Sequence, residues 1–248
     1  MRLKPIKAIR VLLGLDDQKS AYPDDFEDIH RRIIAKVRPY TMTSVERLFG
    51  LIESVQYVVK NNIPGDFVEC GVWKGGSMMA IAETLKHLNI TDRHLYLYDT
   101  FAGMTAPTDD DVDQLNRNAA SQLTNEVDQK TESVVWAYSD LDEVKANIAS
   151  TNYPSQFIHF IEGDILKTIP STIPNQIALL RLDTDWYAST KHEMEYLFPL
   201  LESRGVIIID DYGFWKGSRK AVDEYLSENG IALMLHRMDA TGRSAIKL

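Results

Sequence analysis

Cysteine is nearly absent from this chain: one residue in 248. Cys70 alone cannot close an intramolecular disulfide, and one thiol cannot build a zinc site of the multi-cysteine kind. Basic residues are also in short supply, with 27 Lys and Arg against 36 Asp and Glu and a formal charge of -9. A chain of that sign lacks the counterion-displacing surface that nucleic acids and anionic membranes demand. Long apolar runs are missing too, and nothing approaches the ~20 residues of a membrane span. Residues 1–15 are mildly basic and apolar, but Lys4, Lys7 and Arg10 interrupt them and no small-residue cleavage site follows. The reading is a cytoplasmic protein whose first turns pack on the fold or on a neighbouring subunit. With 13 Gly, 9 Pro and 44% hydrophobic residues, the composition suits one large core plus a small appended element.

What is present falls into two grammars. Residues 1–62 read as a helical N-terminal extension. Thr43 and Glu46 have the spacing of a capping box, and Val45, Leu48, Phe49, Ile52, Val55, Val58 and Val59 then recur at helical spacing. From 63 to 248 short apolar strands alternate with helices, the pattern of an α/β domain. Strands are expected over 66–70, 94–99, 157–161, 177–183, 205–210, 231–235 and 244–248, with helices over 76–88, 190–202 and 218–229. The nearly continuous apolar strands suit a parallel sheet buried on both faces.

One stretch breaks the rhythm. An insertion at about 104–138 carries Asp109, Asp110, Asp111 and Asp113 and then a polar run. It reads either as a solvated surface element or as a mobile lid over a site.

Ligands of open parallel sheets bind beyond the carboxyl ends of the strands. Every such end here carries an acid: Glu69, Asp99, Asp164, then Asp183 with Asp185, then Asp210 with Asp211. The first turn runs Glu69-Cys70-Gly71-Val72-Trp73-Lys74-Gly75-Gly76-Ser77. It has neither the G-x-G-x-x-G spacing of a dinucleotide site nor the ending of a Walker loop. Glu69 before the turn repels a pyrophosphate but suits an ammonium or sulfonium, and S-adenosylmethionine has both. Asp99 is placed to accept hydrogen bonds from two ribose hydroxyls, and Asp164 lies where an adenine amino group is read, unless it simply caps a helix. The carboxylates of Asp183, Asp185, Asp210 and Asp211 repel one another unless a cation such as magnesium lies between them. Arg181, two residues before Asp183, is placed to pair with this cluster.

The segments Phe67 to Ser77, Tyr98-Asp99-Thr100-Phe101-Ala102-Gly103-Met104, Leu180 to Thr190, Ile209-Asp210-Asp211-Tyr212-Gly213 and His236-Arg237-Met238-Asp239 together resemble the macrocin O-methyltransferase family. These are S-adenosylmethionine enzymes acting on hydroxyls of antibiotic deoxysugars. The resemblance implies a class I methyltransferase (Rossmann-like) fold, a seven-stranded, mostly parallel sheet with its last strand antiparallel. It also implies magnesium at Asp183, Asp210 and Asp211, with Asp185 as catalytic base. Donor binding falls by the same likeness to Glu69, Gly71, Ser77, Asp99, Ser139 and Asp164. Family likeness further implies a homodimer or higher oligomer, a lid after Met104, and a small-molecule acceptor that is a sugar or glycosylated natural product. Trp186 and Tyr187 either pack on the acceptor or, for Trp186, join the core.

Two alternatives follow from the same residues. Asp183-Thr184-Asp185 after an apolar strand also resembles the nucleophile motif of haloacid-dehalogenase-type phosphatases. Against that, the position two beyond Asp185 is Tyr187 rather than Thr or Val, and too little chain follows for that fold. A non-catalytic donor-binding module is the other, and the intact acid set argues against it, because an unused charge cluster costs stability.

Overall fold

The computed structural model describes residues 22–248, so the expected packing of the first 15 residues lies outside the described residues. Helix α1 (Asp28–Val37) and helix α2 (Val45–Lys60) form the described part of the extension, joined through a short 3-10 turn at Arg38–Tyr40. The cap of α2 is Ser44, one residue beyond the expected position; its hydroxyl accepts from the Arg47 backbone N–H at 3.1 Å. Thr43 is engaged elsewhere, because its hydroxyl accepts from Arg181 Nη2 at 3.0 Å. The apolar face of α2, from Leu48 to Val58, is buried against the sheet and the next helix.

The α/β part follows in order: β1 (Asp66–Cys70), α3 (Gly76–His87), β2 (Leu95–Asp99), α4 (Ala119–Asn125), α5 (Leu141–Ala149), β3 (Ile158–Glu162) and α6 (Ile165–Thr168). Then come β4 (Ile177–Leu182), α7 (Tyr187–Tyr196), β5 (Leu201–Ile209), α8 (Lys216–Glu228), β6 (His236–Arg237) and β7 (Arg243–Ile246). The sheet has seven strands in the order β3-β2-β1-β4-β5-β7-β6. β3, β2, β1, β4 and β5 pair in parallel, and β7 runs antiparallel to both its neighbours. This is the doubly wound α/β architecture that the strand pattern and the resemblance imply.

Side chains alternate across the sheet as a period of two requires. Phe67, Leu179, Val206 and Ile208 face α1, α2 and α3, while Val68, Leu180, Ile207 and Ile209 face α7 and α8. Two charges interrupt the first face: Glu69 and Arg181, register partners on β1 and β4. Register also sets the level of the strand ends. Cys70 lies opposite Tyr98 and Leu182, and Leu182 lies opposite Ile209. Gly71, Asp99, Asp183 and Asp210, each one residue further on, therefore emerge along one rim.

Several boundaries differ from the sequence expectation, among them the helix expected over 190–202, which ends at Tyr196. β5 begins at Leu201 rather than 205, because polar Glu202, Ser203 and Arg204 hide a strand start that pairs irregularly with β4. α7 begins at Tyr187 rather than 190, immediately after the acid-bearing turn. Residues 231–235 form no strand; the short pairing falls on His236 and Arg237 instead.

The insertion has a core of its own. Ala119, Leu123, Trp186 and Trp215 pack together, with Met104, Val135, Trp136 and Phe214 against them. Asp111 and Asp113 are fully buried and Asp110 is half-buried, which counts against the reading of the insertion as a solvated surface element; of the 109–111 run only Asp109 is exposed. Among the described residues, no helix is long and apolar enough to cross a membrane.

Candidate active site

A cavity of about 380 Å³ opens at the carboxyl rim of the sheet, in the size range of small-molecule sites. Of the residues expected to bind a donor, Gly71, Ser77 and Asp99 line it; all four acids of the second cluster, Asp183, Asp185, Asp210 and Asp211, line it as well. Glu69, Ser139 and Asp164 are not among its lining residues. Asp164 caps α6 through the Leu166 N–H at 3.0 Å, and Ser139 donates to Glu143 at 2.9 Å.

At the β1 side the cavity is framed by backbone. Gly71 has φ +82°, and a Cβ there would meet the Asp183 carbonyl oxygen at 2.0 Å, so no other residue fits between the two turns. Asp99 Oδ2 accepts from the N–H groups of Val72 at 2.7 Å and Trp73 at 3.1 Å, and Oδ1 from Phe101 N–H at 2.8 Å. Burial raises the Asp99 pKa, and these backbone donors oppose the rise.

At the β4 and β5 side the cavity is framed by charge. Arg181 is buried and reaches three carboxylates: Glu69 at 2.6 Å, Asp183 at 2.7 Å and Asp210 at 2.7 Å. Asp210 also meets Arg47, which comes from α2 and pairs with Asp239 at 2.8 Å on its other side. Glu69 is fully buried, and its Oε2 has no partner. Burial pushes Glu69 up to about 7 against the pull of Arg181.

Three of the acids gather, and among them Asp183 already pairs with Arg181 at 2.7 Å. Asp183, Asp185 and Asp211 each offer an oxygen within 4.8 Å of the others. Burial, partly offset by a hydrogen bond with Asp211, raises Asp185 to about 7, and neighbouring negative charge adds to the rise. Asp183 and Asp211 are held well above the usual carboxylate range, first by burial and then by each other's neighbours. Such a set suits a hard divalent cation. Asp210, expected beside Asp183 and Asp211, spends its carboxylate on two guanidinium groups instead.

Behind the turn, Glu193 accepts from the Thr184 hydroxyl at 2.8 Å and is pushed up to about 8 by burial. Trp186 takes the core alternative: it is 1% exposed and its indole N–H donates to the Thr105 carbonyl at 3.0 Å. Tyr187 turns its hydroxyl to Glu224 at 2.7 Å. Arg47 and Glu193 were not singled out from sequence, whereas Asp111 entered only within the acidic run of the insertion and Asp239 only within a motif of the family resemblance. Arg47 sits on an amphipathic helix where charge usually marks the solvent face, and its partners Asp210 and Asp239, distant in sequence, reveal otherwise. Glu193 lies on a helix with no apolar stripe to mark its buried side, nine residues past its partner Thr184.

Comparison with known proteins bears on the family. Residues 11–244 match the family model described as Macrocin-O-methyltransferase (TylF). The chain is 29% identical over 243 residues to the demethyldecarbamoylnovobiocin O-methyltransferase of Streptomyces niveus, covering 94% of this chain and 89% of that one. It is 31% identical over 222 residues to the 8-demethyl-8-(2,3-dimethoxy-alpha-L-rhamnosyl)-tetracenomycin-C 4'-O-methyltransferase of Streptomyces olivaceus, covering 88% and 81%. The solved O-methyltransferase NovP superposes with a TM-score of 0.73 at 29% identity, over 84% of this chain and 82% of that one. The fold, the rim of acids and the match along nearly the whole chain place this protein in the macrocin O-methyltransferase family.

Proposed function

We propose that the protein transfers the methyl group of S-adenosylmethionine to a hydroxyl of a sugar or glycosylated natural product. The observation that carries the reading is a single cavity with Asp99 on one wall and the four clustered acids on the other. The relative from Streptomyces olivaceus is named for methylating a rhamnosyl-bearing compound, which supports a sugar hydroxyl as acceptor. The protein acts in the cytoplasm, where the donor is made, and as a homo-oligomer, as the family resemblance implies.

Asp99 takes the ribose hydroxyls, and Gly71 and Ser77 give the donor a close approach to the backbone. Glu69, with Oε2 unpartnered, Ser139 and Asp164 complete the donor side. Asp183, Asp210 and Asp211 would hold magnesium, which would supply a positive charge that lowers the pKa of a neighbouring hydroxyl. Asp185, poised near neutrality by burial, takes the proton of the acceptor hydroxyl. That oxygen attacks the methyl carbon, the carbon–sulfur bond breaks, and sulfur keeps the electron pair as S-adenosylhomocysteine. The proton remains on Asp185.

A second assignment has an observation of its own. The closest gathering is Asp183, Asp185 and Asp211, which makes Asp185 a cation ligand and leaves Asp210 to Arg181 and Arg47. Asp185→Asn separates the two: loss of turnover with Mn2+ binding retained supports the base, and loss of both supports the ligand. For the function as a whole, S-adenosylmethionine and S-adenosylhomocysteine are titrated calorimetrically with and without magnesium. Binding of both is expected, and no heat from either in any condition overturns the proposal.

A further inference from the structure

The insertion is bolted to the turn that bears Asp185, and Asp111 is the bolt. This residue is fully buried. Its Oδ1 accepts from the Tyr187 backbone N–H at 2.7 Å, while Oδ2 accepts from the Thr108 N–H at 2.6 Å and the Thr108 hydroxyl at 2.9 Å. Tyr187 opens α7, whose own N-cap, Trp186, offers no side-chain cap. Asp111 thus supplies the missing acceptor from 76 residues earlier in the chain, where its negative charge also favours the helix terminus.

The surroundings are shaped for it. A Cβ at Gly217 on α8 would lie 2.1 Å from Asp111 Oδ1, so only glycine there leaves room for the carboxylate. Two residues before the anchored amide, Asp185 has φ +66°, a conformation that side-chain-bearing residues seldom keep without surrounding restraint. The indole bond from Trp186 to Thr105 restrains the same turn from the same insertion.

We propose that Asp111 is a positioning residue that makes the insertion and the 183–187 turn one unit, so that the gathering of Asp183, Asp185 and Asp211 depends on the insertion being seated. Resting on the methyl-transfer reading, this assigns the insertion a second duty: shaping the acid site as well as covering it. Donor binding, framed by β1 and β2, is independent of the bolt.

The test compares the wild type, Asp111→Ala and the surface control Asp109→Asn by amide hydrogen exchange, by titration with Mn2+ alone and by S-adenosylhomocysteine calorimetry. In Asp111→Ala, exchange across 183–190 is expected to quicken by about tenfold or more, as a local opening would. Mn2+ is expected to bind about tenfold more weakly, with S-adenosylhomocysteine affinity within about twofold of wild type. Asp111→Asn keeps an oxygen for the Tyr187 N–H and is expected to restore part of the protection. It also serves if the alanine variant does not fold. Unchanged exchange across 183–190, or a rise spread equally over β1 and β2, overturns the proposal. Wild-type protein that binds no Mn2+ overturns the cation reading instead, and the exchange result still decides the role of Asp111.

Discussion

The two halves of the cavity hold their carboxylates by different means. Asp99 is satisfied by three backbone N–H groups of its own neighbourhood, so the fold that makes the turn also fixes the acid. Glu69, Asp183 and Asp210 each pair with Arg181, and Asp210 also with Arg47 from a helix 163 residues away in sequence. Backbone donors cannot leave; guanidinium groups can exchange for a metal ion or a proton. The β1–β2 half is therefore rigid, and the half at β4 and β5 is adjustable.

The largest expected break in that contrast is Arg181→Met. It strips a buried cation from three acids and is expected to cost about 3–5 kcal/mol of stability by denaturant unfolding. Added Mg2+ is expected to recover part of the loss. Asp185→Asn comes next: turnover is expected to fall about 10²–10⁴-fold if it is the base, while S-adenosylhomocysteine affinity stays level in calorimetry.

Asp99→Ala tests the rigid half. Leaving buried N–H groups without an acceptor is expected to cost about 1–3 kcal/mol and to weaken S-adenosylhomocysteine at least about tenfold, with Mn2+ affinity unchanged. A variant that lost Mn2+ binding as well would erase the distinction between the halves.

The pH response sharpens it further. Burial raises Asp185 to about 7 and Glu193 to about 8, so the folded chain keeps protons that the unfolded chain releases. Their contribution to stability is full below about pH 4 and fades as pH rises through 7 and 8. The melting temperature of metal-free protein is expected to drop by several degrees between pH 5 and 8, and by less in Asp185→Asn. The same ionisation predicts turnover rising from pH 6 to 8 in wild type. Ser44→Ala has the smallest expected effect, about 1 kcal/mol, for loss of the α2 cap. Because Ser44 also donates to Asp239 at 2.6 Å, the variant removes one donor from the carboxylate that pairs with Arg47, and Mn2+ affinity is expected to change only slightly.

How much of this was legible follows the same division. Apolar runs flagged every strand of the parallel sheet, and acids at their ends marked the rim, because both signals are local. Asp164 was readable as a cap for the same reason. The ion pairs were legible only in part: Arg181 stands out as the one charge inside an apolar strand, whereas Arg47 has no local mark. Asp111 hid in a run of three aspartates whose composition suggests solvent, and burial of one among them depends on Gly217 more than a hundred residues later. Strand β5 began early because Leu201 pairs with Ile177 ahead of an irregular stretch through Glu202, Ser203 and Arg204, whose polarity hides the strand.

Cys70 ends β1 beneath the cavity, fully buried, and burial pushes its thiol far above the ordinary range. A thiol so placed is shielded from labelling reagents in the folded protein and reacts when the strand opens. The chain therefore carries its own unfolding reporter. Its surface is otherwise blank to maleimides, so one cysteine introduced on the insertion and one on α8 would carry a spin-label pair with no background. The distance between those labels would follow seating of the insertion directly, in a protein that needs no prior removal of native thiols.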